Sequence, residues 1–261
     1  MTEAERLADA NIAESVREHA RWQAPCELVE EGGMQLLAGP NALPITFRNC
    51  AMRLEPALAT GDALASAERF FAGRKRGYSL LLRASQDADL DEALRGRGIA
   101  PVGEVPCMLV DEPVPVAVPE GVRVERFESE DRVRDAAQVL AEAYEAIKLP
   151  AVETQVFFSR PGRLLSERVV GFVAYRDGVP ASTALTILSG RGAGVYWVGT
   201  APAAQRAGLG ELCTRLATNA GFEAGASMVT LQATPFGEPV YARIGYRTYD
   251  RLVRYRFSAP A

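Results

Sequence analysis

The sequence predicts an α/β fold, a mixed central sheet flanked by helices, and three observations carry that prediction. The first is the stretch Val195-Tyr-Trp-Val-Gly-Thr-Ala-Pro-Ala-Ala-Gln-Arg-Ala-Gly-Leu-Gly210, where a β-branched and aromatic run feeds a glycine-bearing turn. Pro202 stops the strand, and Leu209, Leu212, Cys213, Leu216, Ala217 and Ala220 then recur as one helical stripe. The second is the alternation of short apolar runs with amphipathic stretches along the rest of the chain. The third is a loose repeat of one half of the chain on the other.

Taken in order, residues 2–23 form a helix, with Thr2 as cap and Ala8, Ile12, Val16 and His19 along one face. His19, the only histidine, reads as a packing residue on that face. Strands follow near residues 27–29 and 35–38 around the Gly32-Gly33 turn, and another from Ile45 to Leu54. A helix from about Asp62 to Arg74 turns Leu64, Ala67, Phe70 and Phe71 inward, and Arg74-Lys75-Arg76 closes it as a solvated face. Asp111-Glu-Pro-Val-Pro-Val-Ala-Val-Pro-Glu120 is too rich in proline for regular structure and reads as a stiff linker. Beyond it come the strand 122–127 and a helix capped by Ser129 with Val133, Ala137, Leu140, Tyr144 and Ile147 on one face. Pro150 ends that helix, and a shorter one spans about 152–158. Strands 169–175 and 181–188 are joined through the hairpin signal Asp177-Gly178.

The glycine turn invites a phosphate, because unpaired amides at a helix N-terminus attract anions and glycines let them approach. A P-loop would need Gly-Lys-Ser/Thr, and no lysine stands there. A dinucleotide fingerprint would need a third glycine where Cys213 stands. What remains is Gln-x-x-Gly-x-Gly at 205–210. Downstream, the strand Met228-Val-Thr-Leu-Gln-Ala-Thr234 leads to Tyr241-Ala-Arg-Ile-Gly245-Tyr246. The two motifs together, in this order and spacing, resemble the GNAT acyltransferases over roughly residues 120–257.

The repeat extends the reading to the first half. Ser79-Leu-Leu-Leu-Arg-Ala-Ser85 matches residues 228–234, Leu94-Arg-Gly-Arg-Gly98 matches 241–245, and Ala51-Met-Arg-Leu-Glu-Pro56 matches 197–202. The chain therefore reads as two GNAT-like units in tandem: a degenerate one at 1–112, the linker 113–120 and an acetyltransferase domain at 121–261. The first lacks the phosphate loop after Pro56 and carries Leu94 where the second has Tyr241, so it is expected not to be catalytic. Two unrelated α/β segments are the alternative.

The resemblance implies acetyl-CoA as cosubstrate and an amine as acceptor. By that resemblance the amides of Arg206, Ala207, Gly208, Leu209 and Gly210, with Gln205, wrap the pyrophosphate. Backbone groups of Val198 and Thr200 pair with the pantetheine arm, the Val198 amide polarises the thioester carbonyl, and Gly199 leaves room beside them. Tyr241 is the expected acid for the leaving thiolate. The family's asparagine seven residues before this tyrosine is replaced here by Thr234, which leaves that cofactor contact in question. Trp197 reads as core, and Tyr144 as packing first, with lining of the acceptor site at about residues 144–168 as its alternative. Glu125, Glu153 and Glu167 are surface charges as readily as a general base, which the sequence does not identify. An acyl-CoA sensor without turnover is the competing function.

Composition excludes other classes. A net charge of −4 leaves no basic footprint for nucleic acid, and no apolar run is long enough to span a membrane. Cys26, Cys50, Cys107 and Cys213 have no Cys-x-x-Cys spacing and read as reduced thiols of a cytoplasmic protein, with no metal site. A small-molecule or peptide amine is the expected partner, and a homodimer stays open.

Overall fold

A computed structural model describes residues 1–146 and 148–259. Its elements begin with α1 (Glu3–Trp22), β1 (Glu27–Glu31), β2 (Met34–Ala38), β3 (Asn49–Arg53), α2 (Thr60–Ala72), β4 (Tyr78–Arg83), α3 (Ala88–Gly96) and β5 (Gly103–Val110). They continue with β6 (Val122–Arg126), α4 (Glu130–Glu145), α5 (Ala151–Phe157), β7 (Val169–Arg176), β8 (Val179–Ser189) and β9 (Gly192–Thr200). The last four are α6 (Leu209–Glu223), β10 (Met228–Gln232), α7 (Glu238–Ile244) and β11 (Arg247–Phe257). The fold is mixed α/β, as the sequence predicts.

Local chemistry explains most boundaries. Thr2 and Glu5 form a reciprocal capping box at the start of α1, each accepting from the other's amide. Asp177 and Gly178 both take positive φ, which matches the twist of the β7–β8 hairpin. Ser129 stands at the N-cap of α4 with extended backbone, although its hydroxyl makes no cap bond. Of the apolar face expected on α4, Ile147 lies outside the described residues.

Two expectations need correction. The strand foreseen from Ile45 begins only at Asn49, because residues 45–48 form a turn in which the amides of Arg48 and Asn49 both bond to the Ile45 carbonyl. Arg74 and Arg76 are also more than a solvated face. Arg74 pairs with Glu27 at 2.5 Å and donates to the Phe70 carbonyl, while Arg76 donates to the Asn41 carbonyl, so both tie the end of α2 to neighbouring loops.

The chain forms two compact units. The first holds Met1–Glu14, Met108–Leu231 and Phe236–Arg247; the second holds Ser15–Cys107, Gln232–Pro235 and the chain from Thr248 onward. The halves 1–112 and 121–261 were expected from the sequence, and the compact units cut across them. The end of β5 counts with the first unit and most of β11 with the second.

In the first unit the strand order runs from Met108–Val110 through β10, β9, β8 and β7 to β6. Only β9 and β10 are parallel in the pairings of β6 to β10. Helices α4 and α6 cover opposite faces of β9. A Cβ on Gly199 would meet Leu140 of α4, whereas one on Gly210 of α6 would meet Thr200, and neighbouring strand residues face opposite ways. In the second unit the order is β1, β2, β3, β4, β11, with β3 and β4 parallel. Phe71, Tyr78 and Phe257 stack in series beside Leu80, Leu90, Leu94 and Tyr255 to form its core. All four cysteines are free, and no helix among the described residues is long and apolar enough to cross a membrane.

Candidate active site

The site begins where β9 and β10 part. Their parallel ladder pairs Gly192 with Met228, Ala193 with Val229 and Gly194 with Thr230, and then stops. Strand β9 runs on to Thr200, so its last residues border a fork rather than a strand. The N-terminus of α6 lies beside the end of β9, with Gly210 against Thr200. There Arg206 has φ 62° and Gly208 φ 75°, a left-handed pair that curls the backbone into a concave turn of amides. Gly208 is the N-cap, and among the described residues no side chain caps this end. The Leu212 amide bonds to the Gly208 carbonyl, which leaves the first-turn amides ahead of it facing outward. A Cβ on Gly210 would stand 2.9 Å from the Thr200 hydroxyl, so glycine is what lets the cradle close against the strand end. Thr200 is in turn fixed by Ser182, 2.9 Å away, which also donates to the Gly199 carbonyl.

A second irregularity lies in β9 itself. Tyr196 pairs with Leu185 and Gly199 with Thr183, so Trp197 and Val198 together oppose Ala184, a β-bulge. Trp197 carries φ 53°, an outlier for a bulky residue in mid-strand. The bulge breaks the alternation of faces. Tyr196 bonds Asn11 of α1, and Trp197 packs against α4 and α5, with Tyr144, Phe157 and Phe158 at ring distances of 5.4, 5.0 and 5.2 Å. Those contacts hold the strained backbone in place.

One phenol reaches this point from α4, and a second stands on α7. The Tyr144 hydroxyl donates to the Val198 carbonyl at 3.3 Å. Tyr241 lies over Gly237, where a Cβ would come within 2.7 Å of its ring. Burial pushes the Tyr241 phenol up to about 12, so it keeps its proton at neutral pH. Burial also raises Tyr144, and Tyr241 adds to that rise.

The structure thus brings together Val198, Gly199, Thr200 and the turn 206–210. Leu209 is buried beneath α6, while Gln205 and Arg206 are exposed at the rim. The missing side chain of Gly199 makes room for α4, since Leu140 would meet a Cβ at 2.7 Å. Thr234 follows β10 in the segment that counts with the second unit. Sequence reasoning underrated Tyr144, whose place on the apolar face of α4 signals packing and gives no hint of Val198.

The second unit contains a matching fork, and its own side chains fill it. Strands β3 and β4 pair from Cys50 to Met52, and the next residue, Arg53, is 1% exposed. Its guanidinium donates to Asp87 at 2.9 Å, to both oxygens of Asp89, and to the carbonyls of Leu58 and Gln86. Asp89 also contacts Thr60 at the start of α2, so that helix end already holds a carboxylate.

Comparison with known proteins agrees with this geometry. Residues 117–250, just over half the chain, match the family model described as an acetyltransferase (GNAT) domain. A GCN5-related N-acetyltransferase from Kribbella flavida is similar in fold, with a TM-score of 0.73 and 24% identity, over 100% of this chain and 97% of that one. One from Sphaerobacter thermophilus gives 0.65 and 17%, over 98% and 94%. A tandem GNAT protein from the clavulanic acid biosynthesis pathway gives 0.64 and 16%, over 97% and 96%. No curated protein matches the chain at a significant level.

Proposed function

The chain belongs to the GNAT acetyltransferase family, and we propose that it transfers an acyl group, acetyl from acetyl-CoA, to the amine of a small molecule or peptide. The observation that carries this reading is the fork between β9 and β10, open along one strand edge and ending at an uncapped helix N-terminus. Its dimensions suit such a donor. From Gly194 to Thr200 the strand advances by about 20 Å, enough to lie beside an extended pantetheine arm.

The amides of residues 206–210 would hold the pyrophosphate, with the positive end of α6 behind them. The edge at Val198 and Thr200 would pair with the amide groups of the arm as an added strand would. When bound, acetyl-CoA supplies an activated carbonyl that a neutral amine can attack. The chain's own part is to orient, to hold charge and to move a proton. The strained bulge at Trp197 presents Val198 to the fork, and the Val198 amide would polarise the donor carbonyl. Tyr241 Oη, protonated at neutral pH, is the acid for the leaving sulfur. The fork of the second unit, occupied by Arg53 and its carboxylates, is assigned no donor.

Calorimetry with acetyl-CoA on the full chain should give one site per chain. Tyr241→Phe should slow acetyl-CoA consumption across an amine panel by about 100-fold or more, with affinity for CoA unchanged within about twofold. No heat with acetyl-CoA would end the reading. Full turnover by Tyr241→Phe would remove that residue's role, and binding without turnover on any amine would favour a sensor.

A further inference from the structure

The donor site, read as an acyl-CoA fork, leaves one phenol without a task. Tyr144 reaches from α4 to the Val198 carbonyl, the strand position where the donor's acyl carbonyl is expected. We propose that Tyr144 sets the length of the acyl group, closing the fork beside Val198 so that acetyl fits and longer chains do not. This inference rests on the acyl-CoA reading above.

Two observations support a closed end rather than a yielding one. The Tyr144 ring stacks on Trp197 at 5.4 Å with planes 17° apart, and Phe157 and Phe158 also pack on Trp197. The ring therefore has packed aromatics behind it and cannot recoil without disturbing the bulge. Helix α4 cannot step away either, because Leu140 and Ala143 press onto β9 where Gly199 lacks a side chain. An acyl chain lengthened beyond the carbonyl would have to displace a ring set in a close-packed cluster, and such clusters do not give way smoothly.

A mismatch of one methylene in a tight pocket changes discrimination by about 10- to 200-fold, and butyryl exceeds acetyl by two. The test is calorimetry on the full chain with CoA, acetyl-CoA, butyryl-CoA and hexanoyl-CoA, which needs no acceptor amine. The wild type should bind acetyl-CoA at least about 10-fold more tightly than butyryl-CoA. Tyr144→Ala should erase that preference, whereas Tyr144→Phe, which keeps the ring, should retain it. Circular dichroism and a thermal melt establish that each variant is folded, and Tyr144→Leu replaces the alanine variant if that one is not. Equal binding of acetyl- and butyryl-CoA by the wild type, or an unchanged preference in the folded truncation variant, overturns the proposal. Failure of CoA itself to bind is a different result, for it removes the acyl-CoA reading and this inference together.

Discussion

Arg53 and His19 show how single residues commit this chain. Arg53 is buried with Asp87, which is itself wholly buried, and a guanidinium there is matched by carboxylates and carbonyls on all sides. Arg83 also donates to Asp87, so removing Arg53 strands only part of that charge and costs less than the about 3–5 kcal/mol of an uncompensated pair. Arg53→Met should therefore lower the free energy of unfolding in urea by about 1–3 kcal/mol, and no measurable loss would show the network to be dispensable. His19 stacks on Phe47 at 4.1 Å and has Nδ1 2.5 Å from the Ser15 carbonyl, so the neutral ring carries its proton on that nitrogen. Burial lowers it to about 3. Its folded form resists protonation while the unfolded chain takes up a proton near pH 6.5, so stability is complete above that pH and falls as pH drops from 6.5 toward 3. The slope from this residue is about 1.4 kcal/mol per pH unit. In His19→Met, urea titrations between pH 6.5 and 4.5 should show a shallower fall than in the wild type; an identical slope would rule the histidine out as its source.

At the scale of elements, the N-terminus of α6 is where sequence and structure agree most closely. The glycine pattern at 205–210 names a turn, and the structure supplies positive φ at Arg206 and Gly208. Gly208→Val places a β-branched residue in a left-handed conformation at a cost of about 1–2 kcal/mol. It should also weaken acetyl-CoA binding by about 10-fold or more, since the curled amides lose their arrangement; stability loss without any change in affinity would separate the turn from the donor. Hairpin turns were equally legible, as Asp177-Gly178 and Gly32-Gly33 show, because their φ requirement is local. The start of β3 was not. Ile45, Thr46 and Phe47 have strand-forming side chains, yet the backbone there turns, with Phe47 at φ 66°. Tertiary contacts overrode propensity, among them the stacking of Phe47 on His19.

For the whole molecule, the closing strands decide what each part can do alone. Strand β4 pairs with β11 from Leu252 opposite Arg83 to Phe257 opposite Tyr78, and Tyr255 and Phe257 lie in or against the core of that unit. A fragment of residues 1–112 lacks those residues entirely. It should show no cooperative urea transition by circular dichroism, and a sharp two-state transition would contradict the strand assignment. By itself the sequence determined the α/β class, most of the order of elements, and the glycine turn ahead of α6. Each of these is written in short windows, as a period of apolar residues or a required backbone angle. Only the tertiary structure decided that Trp197 shares a face with its neighbour through a bulge, and that Arg53 seals the second fork through Asp87 and Asp89. It alone brought Tyr144 to a carbonyl 54 positions away. Periodicity says which face of an element a side chain occupies; which partner waits there depends on how distant segments pack, and no local pattern records that.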